Sequence, residues 1–326
     1  MKKLFTFCLG VFFMLTLMGY TGSAQAAYPT KAIQFIIPFG AGGGADIEGR
    51  LLSKEMSKIL GVPVVPINKP GAGGAVTFTY VKNSKPDGHT IAWTSTSILT
   101  TTNIGNVPFK WDAMDHIGRV EIQPLPFTVK STSKWKTFKD FTNDCKKKPN
   151  TLKVALPSIG SSTHLSAATL LGQAGCKAII LPTGIKRRNS SLLSGEADAM
   201  DAPLTGTIRL AKAGKFRILV IPGTKRNSVI PDVPTMKDLG YNYLHVDFFR
   251  GLAVAKGTPH GIKAQIADAM MRAARSNAFT KFAKKKGFTV APLGPVGMTN
   301  YLTEQNKRVA ASMKKLGLYQ SKRKKK

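Results

Sequence analysis

The chain has 326 residues, 43% of them hydrophobic, and carries 48 Lys and Arg against 17 Asp and Glu, a formal net charge of +31 at pH 7. Apolar sequence spread along the whole length excludes an intrinsically disordered protein, and about 300 residues exceed what one compact core usually holds, so two domains are expected. The basic residues are dispersed and no helix-turn-helix, zinc-finger or aromatic RNA-binding signature accompanies them, so the charge does not point to nucleic acid.

The first 26 residues combine Lys2 and Lys3, an apolar run over 4–18 and the small-x-small sequence Ala24-Gln25-Ala26. This pattern predicts a secretory signal peptide cleaved near Ala26. As a membrane anchor the run is short against a span of about 20 residues, and Thr6, Gly10 and Thr16 interrupt it. Only Cys145 and Cys176 would survive cleavage; in an oxidising compartment they are a candidate disulfide, with two buried free thiols as the alternative. The clusters 146–148, 186–188 and 284–286 read as solvated basic faces, and the tail 322–326 as a frayed end.

From Tyr28 onward, short apolar strands alternate with helical segments, the signal of parallel α/β architecture. Residues 33–37 form the first strand and run into Gly40-Ala-Gly-Gly-Gly44, four glycines in five positions. A helix follows from near Asp46, with Ile47, Leu51, Leu52, Ile59 and Leu60 at helical spacing and Gly61 as its C-terminal cap. Such a loop removes the β-carbons that would hold a ligand off the backbone and aims the helix's unpaired N–H groups at an anion. Next come a strand over 64–67, a second glycine loop at 70–74 read as a close-packed turn, a helix over 76–82, and a strand over 90–93 ending in the hydroxyl-rich Thr94, Ser95, Thr96 and Ser97.

A second α/β unit repeats the scheme: helix 138–147, strand 152–156, the small-residue loop from Ser158 to His164, and helix 165–173. Strands over 178–181, 197–200 and 217–221 follow, with the turn Pro182-Thr-Gly184 and a helix through Leu193 between the first two. An extended segment over 249–255 and helices over 262–276, 278–286 and 298–315 complete the chain. Two units, each with an anion-suited loop at a strand's carboxyl end, suggest two lobes facing a cleft, hinged near 126–129 and 248–252.

Gly40-x-Gly42-x-x-Ala45 formally satisfies the dinucleotide fingerprint, but the acidic residue expected after the second strand is replaced by Asn68 and Lys69. No P-loop and no G-x-S-x-G elbow occurs, and the five histidines lack ligand spacing, so no cofactor, metal or catalytic site is expected.

The series Tyr28-Pro-Thr-Lys, Pro38-Phe-Gly-Ala-Gly-Gly-Gly-Ala-Asp46, Asn68-Lys-Pro-Gly-Ala-Gly-Gly74, Lys85-Pro-Asp-Gly88, Gly160-Ser-Ser-x-His164-Leu165, Leu193-Ser-Gly-Glu-Ala-Asp198, Gly214-Lys-x-Arg217 and Ile230-Pro-Asp-Val-Pro-Thr235 closely resembles the Bug-type substrate-binding receptors of tripartite tricarboxylate transporters. The resemblance spans essentially the whole chain after the leader. It implies a type II periplasmic binding-protein fold, two α/β lobes joined by crossing strands around a ligand cleft. Residues 27–125 with 250–326 would form one lobe and 126–249 the other. It further implies a monomeric periplasmic receptor, without enzymatic activity, that closes on a small carboxylate and delivers it to a membrane permease. A non-transport envelope protein on the same fold, presenting ligand to a sensor or binding polyanions, is the alternative.

On this sequence the resemblance assigns ligand contact to Phe39, Gly40, Ala41, Gly42, Gly43 and Gly44, with Asp46 as a cap or water-orienting group, and to Thr94, Ser95 and Thr96 on the same lobe. The opposing lobe would contribute Ser158, Gly160, Ser161, Ser162, Thr163 and His164. The chain departs from the family pattern at Leu181-Pro-Thr183-Gly-Ile185-Lys-Arg-Arg188, where Thr183 replaces a pocket aromatic and the following turn is unusually basic, and at Asp201, which brings a carboxylate near the cleft.

Overall fold

A computed structural model describes residues 28–241 and 246–322. The expected leader, His245 and residues 323–326 of the tail lie outside these. Two sheets organise the described residues. The first contains β1 (Ile33–Ile37), β2 (Val64–Asn68), β3 (Thr90–Ser95), β4 (Met114–Ile122), β10 (Phe249–Ala255) and β11 (Thr289–Leu293), in the order β11-β4-β10-β3-β1-β2. The second contains β5 (Phe127–Lys130), β6 (Lys153–Leu156), β7 (Ile179–Pro182), β8 (Ala199–Asp201) and β9 (Phe216–Val220), in the order β7-β6-β8-β5-β9. β1 pairs in parallel with β2 and β3, and β6 with β7 and β8, while β10 and β5 run antiparallel to both of their neighbours. The chain crosses between sheets over 123–126 and returns before Phe249, and the two crossings are tied where the Gln123 N–H donates to the Phe248 carbonyl at 3.0 Å. The expected hinge segments 126–129 and 248–252 are thus mostly strand, and only the short stretches before β5 and β10 are free of sheet pairing.

The helices are α1 (Gly44–Leu60), α2 (Ala75–Lys82), α3 (Ser97–Ile104), α4 (Phe138–Lys147), α5 (Ser162–Gln173), α6 (Gly184–Ser194), α7 (Leu204–Lys212), α8 (His260–Ala274), α9 (Asn277–Lys286) and α10 (Pro295–Lys315). None among the described residues is long and apolar enough to cross a membrane.

β1 shows why the apolar strands read as continuous runs. Ile33, Phe35 and Ile37 pack on one face with Leu52 and Met56 of α1 and the apolar sides of α8 and α9, whereas Ile36 packs on the other with Phe78, Leu99 and Met298 from α2, α3 and α10. A sheet covered on both faces leaves no strand face for polar residues. Each large apolar side chain buried in this way contributes about 1.5 to 3 kcal/mol. In the second lobe Phe127, Phe141, Val154, Leu156 and Leu170 form the equivalent core, and Cys145 at the end of α4 is disulfide-bonded to Cys176 after α5, with Cα atoms 5.4 Å apart.

Several elements were absent from the sequence reading, namely β4, β5, β11, α3 and α7. β4 escapes an apolar-run criterion because Asp115, His116, Arg119 and Glu121 interrupt it; Glu121 is fully buried and accepts from Gln123 Nε2, two residues further on.

Candidate functional site

The first loop is positioned by the start of α1. Gly49 lets this helix lie close on the sheet, since a β-carbon there would stand 3.2 Å from atoms of Phe35, Ile37 and Trp93, and the Trp93 indole N–H donates to the Ala45 carbonyl at 3.0 Å. The helix ends at Gly61, whose left-handed φ of 71° lets its N–H reach the Ser57 carbonyl. Its N-terminus therefore points at a fixed place. Gly43 is the N-cap, and the backbone N–H groups of Gly43, Gly44 and Ala45 donate to nothing among the described residues.

Asp46 braces the loop. Its carboxylate accepts from the Gly42 N–H (3.0 Å), Asn68 Nδ2 (2.9 Å) and Arg50 Nε (2.8 Å), and Asn68 Nδ2 also donates to the Phe39 carbonyl. The N–H of Gly42 is thus already engaged, and Ala41 and Gly42 sit exposed on the rim, leaving residues 43–45 as the donors that face the other lobe.

The loop at 158–164 opposes it. Ser161 caps α5, accepting from the His164 N–H (3.3 Å) while its hydroxyl donates to the Ser158 carbonyl (2.8 Å). Gly160, at φ +82°, turns its carbonyl to the Thr100 hydroxyl (2.7 Å) and its N–H to His164 Nδ1 (3.2 Å). Ser162 Oγ lies 3.2 Å from Ser97 Oγ, so the lobes touch here. Because Nδ1 is an acceptor, His164 is neutral with its proton on Nε2, and burial, aided by the charge of Lys322, pushes its pKa down to about 4. It braces the loop and offers an anion no positive charge.

A pH dependence follows. The unfolded chain protonates this histidine near pH 6.5 and the folded chain near 4, so between those values the unfolded state binds more protons and stability falls as pH falls. Urea midpoints taken at pH 7 and pH 4.5 should show the parent chain losing up to about 3 kcal/mol more over this interval than His164→Gln. Equal losses would refute the assignment.

Phe39, Gly44, Ser161, Ser162 and Thr163 line a cavity of about 20 Å³ between the lobes, together with Ala45, Pro157, Ile185, Arg188, Pro203, Phe248 and Arg250. The jaws are shut around it: a β-carbon on Gly43 would stand 2.9 Å from Ile185 Cγ2, and one on Gly44 3.4 Å from Pro203. Gly40, Ala41, Gly42, Gly43, Asp46, Thr94, Ser95, Ser158, Gly160, His164, Thr183 and Asp201 do not line it. Thr96 instead braces the crossing, donating to the Asp247 carbonyl (2.7 Å) and accepting from the Phe249 N–H (3.1 Å). It lines a second, larger cavity of about 370 Å³ behind the crossing segments, which shares Ser162 and Phe248 with the first. Thr183 turns its hydroxyl to the Gly184 carbonyl. Asp201 is fully buried, with one oxygen on the Ser166 hydroxyl (2.8 Å) and the other unpartnered, and burial raises its pKa well above the usual carboxylate range.

Two charged cleft residues escaped the sequence reading. Arg188 belongs to the 186–188 cluster expected to be solvated, and that expectation is corrected: Lys186 and Arg187 are exposed, but Arg188 is 2% exposed. Its spacing from Ser191 and Leu192, also buried on α6, was the available signal, since positions i, i+3 and i+4 share a helix face. Arg250 is 1% exposed on β10, a single charge inside an otherwise apolar run. Its Nε donates to Glu48 (2.9 Å), whose other oxygen accepts from Gln123 Nε2 (2.9 Å). Gln123 Nε2 also reaches Glu121, and its carbonyl accepts from the Thr205 hydroxyl (3.1 Å) at the start of α7. Burial and the neighbouring Glu48 charge hold the Glu121 pKa well up.

Two α/β lobes joined by paired crossings, with unpaired helix N–H groups facing a second capped loop across a cleft, define a two-lobed solute-binding protein of the type II periplasmic fold. Residues 49–318 match the sequence profile of the Tripartite tricarboxylate transporter family receptor, and the chain belongs to that family. It is therefore a solute-binding receptor and not an enzyme. It is similar to the UPF0065 protein in the gbd 5′ region of Cupriavidus necator, with 29% identity over 310 residues covering 93% of each chain. BugT of Bordetella pertussis is 26% identical over 295 residues, 89% of this chain and 90% of that one. Among solved structures, the periplasmic binding protein BugD superposes with a TM-score of 0.85 at 26% identity, covering 90% of this chain and 99% of its own. MatC from Rhodopseudomonas palustris, solved with bound malate, gives 0.81 at 25% identity, covering 87% and 99%.

Proposed function

We propose that the protein is an exported, periplasmic receptor that binds a small carboxylate between its lobes and presents it to the permease of a tripartite tricarboxylate-type transporter. The carrying observation is the set of N–H groups at Gly43, Gly44 and Ala45, unbonded at the N-terminus of a seventeen-residue helix, with Gly44 and Ala45 lining one interlobe cavity together with Ser161, Ser162 and Thr163. Unpaired N–H groups and the positive end of the helix dipole favour an anion, and hydroxyls orient to accept or donate as it requires. The malate held by the similar MatC supports the carboxylate class. The basic, apolar and small-x-small leader supports export, and residues 27–125 with 250–326 and 126–249 serve as the two lobes.

Several contacts must act together. A charge-assisted hydrogen bond contributes about 1.5 to 3 kcal/mol, whereas micromolar affinity corresponds to about 8 kcal/mol. One or two such contacts fall short of that, so several must meet one ligand, and lobe closure brings them together. Native mass spectrometry of freshly purified protein, followed by calorimetry with mono-, di- and tricarboxylates, tests the reading. A co-purifying carboxylate or saturable binding is expected, and no binding across the panel would overturn it.

Gly43→Ala gives a sharper check. Its φ of −84° accommodates alanine, but the added methyl meets Ile185 across the cleft. Carboxylate affinity should fall several-fold while stability drops by about 1 kcal/mol or less, the cost of a poorer cap. Unchanged affinity would show that the jaws do not close as described.

A further inference from the structure

Arg188 is the least satisfied charge in the cleft. Its guanidinium makes no hydrogen bond or ion pair to any described residue, and its Nε is buried with no partner. Asp201 supplies a favourable charge but no hydrogen bond. Burying a cation in this way is costly unless something anionic pairs with it.

Its position says what that partner is. Arg188 comes from α6 in the second lobe and lines the interlobe cavity, which also receives Gly44 and Ala45 from the start of α1 in the first. Arg188 Nη2 and the Gly44 backbone nitrogen lie 3.3 and 3.6 Å from the same point, the place a β-carbon on Gly206 would occupy. Two positive groups, a guanidinium and a helix N-terminus, therefore approach each other from opposite lobes beside Gly206, and both residues line the same cavity. Arg250, the other arginine there, already has its charge matched by Glu48.

We propose that Arg188 is the specificity-determining residue of the second lobe, and that the lobes close on a single carboxylate group held jointly by its guanidinium and the α1 N-terminus. The inference rests on the carboxylate-receptor reading above. Without an anion, closure brings two like-signed groups together with water excluded, which opposes it; a carboxylate turns that repulsion into two attractions. The cleft thus selects ligands by the negative charge of the bridging group.

The experiment compares the full mature chain with Arg188→Gln, Arg188→Lys and the control Arg187→Gln, the last altering an exposed arginine paired with Glu196. Acetate, succinate, malate and citrate are titrated by calorimetry, and small-angle scattering gives the radius of gyration of each protein with and without the tightest of them. The parent should bind at least one probe, Arg188→Gln should bind it about 10- to 100-fold more weakly, Arg188→Lys should regain part of the loss, and Arg187→Gln should match the parent within about twofold. Ligand-free Arg188→Gln should be more compact than the ligand-free parent, a readout that lost packing alone would not produce. If the parent binds and Arg188→Gln binds equally well, or the ligand-free proteins have the same dimensions, Arg188 does not bridge the lobes and only this inference falls. If the parent binds no probe, the carboxylate-receptor reading falls and this one with it.

Discussion

Arg250→Met should lower the unfolding free energy by about 3 to 5 kcal/mol, the cost of removing one partner from a buried ion pair. Glu48 is 0% exposed and would keep a single hydrogen bond, from Gln123, after losing the guanidinium. Glu121 sits beside it with an oxygen that has no partner, so the site would hold two carboxyl groups and no cation paired with either. The methionine side chain fills most of the arginine volume, which keeps the loss electrostatic rather than a cavity effect. Glu48→Leu combined with Arg250→Met should recover most of the stability, because a buried pair replaced by apolar groups of similar size is close to neutral. Urea unfolding of the three proteins provides the check. A single variant within 1 kcal/mol of the parent would mean the pair is solvated in solution.

The disulfide carries the second large effect. Replacing Cys145 and Cys176 together by alanine should cost about 3 to 4 kcal/mol, the loop-closure entropy for a sequence separation of 31 residues. The bridge joins the end of α4 to the chain after α5, and both helices pack on the face of the second sheet that Phe127 and Leu156 build. The loss should therefore appear as a lower thermal midpoint with little change in ligand affinity, since neither cysteine approaches the cleft. A thiol titration of the unfolded, unreduced parent chain should find neither Cys145 nor Cys176 reactive; two reactive thiols, or an unchanged midpoint in the variant, would remove the bridge from the stability account.

Much of the fold was legible because both sheets are largely buried on both faces. β1, β10 and α4 stand at the residues read from apolar runs and periodicity, and α1 differs only at its first turn, where glycines hide the helix start. Two of the elements missed, β4 and α3, share one physical cause. β4 carries Arg119, whose Nε donates to the Ala291 carbonyl of β11, and α3 is rich in threonine, with the Thr100 and Thr101 hydroxyls donating to the Gly160 and Gly73 carbonyls. Local composition cannot register partners that lie far off in sequence. The candidate site divides the same way. Both loops were visible as small residues between a strand and a helix, but Arg188 looked like surface charge within a basic cluster, and Arg250 gained meaning only when Glu48, 202 residues away, was seen to meet it.

The bond between Gln123 and Thr205 has a kinetic meaning. Gln123 lies on the first crossing segment and is tied to Glu48 in one lobe and to the start of α7 in the other. Parting the lobes at this point breaks one neutral hydrogen bond, worth about 1 kcal/mol, and leaves the Glu48–Arg250 pair intact. Full parting also breaks the Thr100–Gly160 and Ser97–Ser162 contacts and the bond from Asn227 Nδ2 to the Gly287 carbonyl, so the scaffold adds its own share to the barrier. Opening should run at the microsecond-to-millisecond pace of ordinary hinge motions, and how long a ligand stays would be set by these cross-lobe bonds together with the ligand's own contacts.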